Sequence, residues 1–125
     1  MNIDEFTLGE LKALQSMFSS TPKQSPVGSH LIGQKVIVRA YRSGVNYGTL
    51  KAIDGQNVEL TNARRLWYWK AVSGISLSDV AESGIKSGSK ICAIVPTQII
   101  TDACEIITTS PDAQASIEAA NVYNP

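Results

Sequence analysis

From Gly33 onward the chain is a succession of short, β-branched runs broken by turn residues, and that pattern leaves few folds open. "KVIVRAYR" alternates apolar and polar positions, Ser43-Gly44 marks a turn, and "VNYGTLKAI" continues as a second strand. Asp54-Gly55 is a hairpin signal that joins this strand to "NVEL", and "RRLWYW" reads as a fourth strand. Antiparallel strands this short, tied by tight turns, bury one face by curling into a small barrel or half-barrel.

Two short helices accompany the strands. In "GISLSDVAESG", Ser76 is placed to cap a helix near 77–83, with Asp79 at its third position and Gly84 supplying the left-handed residue at its end. "KICAIVPTQIITDACEII" returns to strand chemistry, and Pro96 within it suits a strand end or edge rather than a sheet centre. Ser110, Pro111 and Asp112 then open a terminal helix near 111–120. Residues 33–125 thus form one β-rich domain.

The beginning of the chain differs in kind. Thr7 and Glu10 make a capping box, Phe6 and Leu11 a hydrophobic staple, and Leu8, Leu11, Leu14 and Phe18 an apolar stripe. A helix from about Leu8 to Ser19 follows, too short to stand alone and therefore a docking arm over residues 1–20. The stretch "SSTPKQSPVGSH" has no periodicity, so residues 21–32 read as a linker.

A length of 125 residues fits one body with a real core. Lysine plus arginine equals aspartate plus glutamate, for a net charge of zero, which argues against a dedicated nucleic-acid binder. Only 18% of residues are charged, so little self-repulsion keeps copies apart and a homo-oligomer is expected. No apolar run could span a bilayer and no signal-peptide pattern opens the chain, so neither a membrane nor secretion is expected. Cys92 and Cys104 sit in apolar strand-like segments and read as reduced, buried thiols.

The search for catalytic chemistry returns little. His30 is the sole histidine and falls in the linker, and two separated cysteines with one histidine lack metal-ligand spacing. "GIKSGSK" lacks the ending of a phosphate loop and does not lead from a strand into a helix. Asp102 and Glu105, three apart in a strand, lie on opposite faces. The expectation is a protein without catalysis, cofactor or metal.

The basic residues carry more information. Between Lys35 and Lys70 there are seven lysines and arginines against Asp54 and Glu59 only, and the same segment holds Tyr41, Tyr47, Trp67, Tyr68 and Trp69. Arginine beside aromatic rings suits stacking on a base and gripping a phosphate, and equally suits a protein–protein contact. Strand alternation puts Arg65, Trp67 and Trp69 on one face and Arg64, Leu66 and Tyr68 on the other, while Arg39 and Tyr41 share a face opposite Arg42. The candidate binding surface is Arg39, Tyr41, Arg42, Arg64, Arg65, Trp67 and Trp69. The competing reading is that both tryptophans fill the barrel and the arginines cap its rim.

"GTLKAIDGQNVEL" resembles the second and third strands of Sm-like small barrels. The fold expected is therefore mainly β (α+β): a small antiparallel SH3/Sm-like barrel or half-barrel with an N-terminal helix, a short inserted helix and a short C-terminal helix. Over Ile32 to Ile107 the chain also resembles a group of small phage and prophage proteins of unassigned function, most specifically in "RSGVNYGTL" and "ARRLWYW". The opening "TLGELKALQSMF" is similar to helices that begin other small phage proteins. That resemblance implies viral origin and transfers no activity. It points to a virion accessory subunit, such as a head decoration, which contacts itself and other phage structural proteins. The alternative is a counter-defence protein that sequesters a host nucleotide signal or blocks a host protein. The virion or the infected host cytoplasm is the expected location.

Overall fold

The strands assemble in the order β4-β3-β2-β1-β5, all antiparallel, as Lys35–Ala40 (β1), Gly44–Asp54 (β2), Asn57–Tyr68 (β3), Lys90–Ile100 (β4) and Ala103–Thr108 (β5). The computed structural model describes residues 27–125, of which Leu31–Pro125 is one compact unit. The expected docking helix, with Leu8, Leu11, Leu14 and Phe18, lies outside the described residues, as does the first half of the expected linker. Ser29–Leu31 forms a single 3-10 turn.

"NVEL" and "RRLWYW" are not two strands, as their separate apolar runs suggested, but the two ends of one 12-residue strand. A bulge joins them. Tyr47 pairs with Arg64 and Thr49 with Thr61, so Gly48 alone faces two residues, Asn62 and Ala63. Asn62 absorbs the extra residue at φ +49°, the left-handed region that asparagine tolerates better than most. Gly48 makes the bend possible, because a Cβ there would stand 3.1 Å from the Ala63 Cα and 3.2 Å from the Leu60 Cβ. At the hairpin beyond it, Asp54 pairs with Asn57, and Gly55 takes φ +58° at the first of the two turn positions.

Among the described residues the sheet is open: β4 and β5 are its two edges and no ladder joins them, so the closed barrel admitted by the strand pattern is not formed. It must nevertheless curl strongly. Laid flat, edge strands four spacings apart would be about 19 Å apart, whereas the three chain steps from Ile100 to Ala103 reach at most about 11 Å. Within the concave face Val36, Val38, Leu50, Val58, Leu60, Ala63, Ile100 and Ala103 pack as one cluster drawn from all five strands.

The opposite face carries the helices Leu77–Ser83 (α1) and Pro111–Ala119 (α2). Ile37, Tyr47, Leu66 and Ile91 of the sheet pack there against Leu77, Val80, Ile85 and Ile117. Both helices begin as their sequences dictate. Ser76 and Asp79 form a reciprocal capping box, and Ser110 accepts from the Ala113 N–H with Pro111 in the first turn. Glu118 of α2 reaches back to the sheet, where it accepts from Lys35 of β1 at 2.8 Å and from the Tyr47 hydroxyl of β2. Burial, and then the adjoining carboxylate, raise the Tyr47 pKa.

Candidate functional site

The bulge at Asn62 decides what each arginine of "ARRLWYW" does. Before it, Val58 and Leu60 point into the concave face; after it the parity reverses, and Ala63 joins that face in their place. Arg64 and Leu66 therefore turn toward the helices, while Arg65 and Trp67 stay on the concave side.

Arg64 is thus no surface residue. It is 3% exposed, and its guanidinium is fully engaged with backbone carbonyls. Nε and Nη2 donate to Cys92 O at 2.9 and 2.8 Å, and Nη1 donates to Ile117 O at 2.9 Å and Ala120 O at 2.8 Å. The last two are carbonyls at the C-terminal end of α2, where unpaired oxygens and the helix dipole both favour a cation. Burial lowers the Arg64 pKa. Its role is to pin α2 to β4.

Arg65 is half-buried and held by a polar group beneath the concave surface. Asn46, fully buried in β2, accepts from Arg65 Nε at 3.3 Å and from Gln98 Nε2 at 3.0 Å through the same Oδ1. Asparagine is poorly suited to a strand interior, so Asn46 was the one sequence signal that could have revealed this arrangement. Trp67 follows on the same face and is 72% exposed. Trp69 lies beyond the end of β3, where alternation no longer holds, and packs half-buried against the helix-side core. One tryptophan is a surface residue and the other a partial core residue.

The register separates the rest of the expected surface. Arg39 pairs with Val45, and Val45 with Leu66. Residues directly opposite across strands share a face, so Arg39 lies with Leu66 on the face opposite Arg65 and Trp67. Its guanidinium stands 3.8 Å from Glu105. Tyr41 is exposed in the β1–β2 turn. Arg42, in that same turn, lines a groove of about 280 Å³ together with Arg65, Trp67 and Trp69. A second groove of about 430 Å³ also has Arg65 and Trp67 in its wall, with Ala63, Ala93, Val95 and Gln98.

The feature not foreseen from the sequence is β4. This edge strand exposes Ile94, Val95 and Ile99, and no charged residue occurs from Ile91 to Thr101. The chain's own tail covers only its beginning: Val122 bridges to Ile91, the Tyr123 N–H donates to Ile91 O at 2.8 Å, and Lys90 Nζ sits 5.1 Å from the Tyr123 ring. The missing charges were the available signal. Pro96 lies inside this edge strand, as its chemistry requires.

Cys92 is half-buried and Cys104 exposed, both as free thiols, so the expectation of burial fails for Cys104, which faces outward on the β5 edge. Among the described residues no cluster of histidine, cysteine and carboxylate side chains is placed to hold a metal, and no helix is long and apolar enough to cross a membrane.

A family model described as a domain of unknown function, DUF6948, matches residues 33–117. The chain belongs to the DUF6948 family. The matched residues run from before β1 into α2, so the DUF6948 domain comprises the whole sheet, α1 and α2 as far as Ile117. No curated protein matches the chain. Among solved structures, a chain from "Crystal structure of the NatC complex bound to CoA" is similar at 19% identity, with 74% of this chain and 96% of that chain covered and a TM-score of 0.36.

Proposed function

We propose that this DUF6948 protein is a non-catalytic assembly subunit that joins further copies of itself through the free edge of β4. The observation that carries the reading is the uncharged stretch from Ile91 to Thr101 on an edge strand, with Ile94, Val95 and Ile99 exposed. Edge strands of stable monomers are usually blunted by charge, because unpaired N–H and C=O groups template pairing with another chain. On β4 the blunting devices gather at its beginning, with Lys90, the tail at Val122 and Tyr123 and the register shifts on either side of Leu66; from Ile94 to Ile99 there is Pro96 and no charge. The occupant is a second copy, because the same sheet ends in a second open edge at β5, and two unlike open edges on one molecule make a head-to-tail interface. Zero net charge leaves little repulsion between copies.

The resemblance to small phage and prophage proteins supplies the setting: a virion accessory subunit of head-decoration type, contacting its own copies and other structural proteins. Mass spectrometry of purified particles should then find the chain, and its absence would count against that setting. The self-association itself is tested by sedimentation velocity and native mass spectrometry of the full chain. Wild type should be oligomeric at micromolar concentration. Ile94→Lys with Ile99→Lys should be monomeric with an unchanged circular dichroism spectrum. A monomeric wild type, or a double variant of unchanged mass, overturns the reading.

A further inference from the structure

The seven cations between Lys35 and Lys70 are sorted by the fold. Lys35 lies 2.8 Å from Glu118, Arg39 3.8 Å from Glu105 and Lys51 3.4 Å from Glu59, while Arg64 is consumed by backbone carbonyls. Lys70 sits 5.9 Å from the Tyr68 ring. Among the described residues, Arg42 and Arg65 have no acidic partner for their guanidinium groups, and these two line the same groove with Trp67 and Trp69. The Asp102 carboxylate accepts from the Arg42 backbone N–H at 2.8 Å.

We propose that this groove binds a nucleoside phosphate, with the phosphate between Arg42 and Arg65 and the base against Trp67. Three features carry it. Arg65 is set in place before any ligand arrives: Nε is tied to Asn46, a residue itself fully buried and shared with Gln98, and among the described residues neither Nη group has an acceptor. A guanidinium fixed at its Nε presents its remaining donors as a fork that matches phosphate oxygens, and little rotational freedom is lost on binding. Beside it Trp67 offers a large exposed ring where a carboxylate ligand would gain nothing, and the adjoining groove supplies apolar wall from Ala63, Ala93 and Val95.

Size chooses the ligand within this class. A protein that follows a nucleic-acid strand neutralises on the order of six to ten phosphates. Two unpaired arginines on a chain of zero net charge serve one or two phosphates, so the ligand is a mononucleotide or a short phosphate-bearing relative, not a polymer.

The test titrates the full chain, at low and at physiological salt, with AMP, adenosine, inorganic phosphate and a short Asp/Glu peptide, following tryptophan fluorescence and calorimetric heat. AMP should quench saturably and bind at least about tenfold more tightly than phosphate or adenosine, since both halves of the site contribute. Arg42→Gln and Arg65→Gln should each weaken AMP about tenfold, and Trp67→Leu should abolish the advantage of AMP over phosphate. Arg42 is exposed in the β1–β2 turn, so its variant reports on binding even if Arg65→Gln disturbs Asn46. The proposal is overturned by AMP binding no tighter than phosphate, by unchanged affinity in Arg42→Gln, or by the acidic peptide binding more tightly than AMP.

Discussion

Replacing Arg64 by methionine separates a structural arginine from a binding one. The side chains are similar in length and both accept burial, so the change removes donors while largely retaining volume. Three backbone carbonyls, Cys92 O, Ile117 O and Ala120 O, lose a charged donor inside a site that is 3% exposed. An isostere can be harmless where both members of a buried pair are replaced together, but these acceptors belong to the backbone and remain. Each hydrogen bond to a charged group contributes roughly 1.5–3 kcal/mol. Relief from burying a cation without a carboxylate partner offsets part of the four, leaving a net loss of about 3 kcal/mol. For a domain near 100 residues that lowers Tm by on the order of 15 °C. Urea unfolding gives the free energy, and amide exchange at Ala113–Ala119 should show α2 released first. Arg64→Lys, with one short ammonium to serve carbonyls on two elements, should recover less than half. A methionine variant within about 0.5 kcal/mol of wild type would refute the reasoning, as would lost AMP binding at full stability.

Two further predictions concern the bend and the acid limit. Gly48→Ala places a methyl 3.1 Å from backbone atoms of Ala63 and Thr61, so the curl must relax, costing about 1–3 kcal/mol in urea unfolding; a neutral result would mean that the bend does not depend on that glycine. Glu118 is held below its ordinary carboxylate range, first by the Lys35 hydrogen bond and then by Tyr47, so its contribution is complete above the unfolded value of 4.5 and is lost as pH falls through the lower folded value. Because the pair is substantially exposed, Glu118→Gln should change stability at pH 7 by no more than about 1 kcal/mol while flattening the acid limb below pH 4.5. Superimposable acid limbs would assign that limb to another group.

The local elements were legible in the sequence because their determinants are local. The Asp54-Gly55 hairpin, the Ser76 and Ser110 caps, Pro111 in the first turn of α2 and Pro96 on an edge strand each follow from the conformational limits of a few adjacent residues. The alternation of short β-branched runs with turn residues likewise pointed to a mainly β domain accompanied by two short helices. The candidate site was legible only as a segment: alternation correctly paired Arg65 with Trp67 but could not say which face was buried.

That choice belongs to the tertiary structure. One extra residue at Asn62, accommodated by the missing side chain at Gly48, reverses the parity of β3. It sends Arg64 to the carbonyls of α2 and leaves Arg65 over Asn46, although both are arginines in the same run. Register across β1, β2 and β3 put Arg39 on the other face, and the strand order β4-β3-β2-β1-β5 left β4 at an edge. A sequence states which residues prefer a strand; only long-range register decides where each side chain points, because a shift of one residue exchanges the two faces.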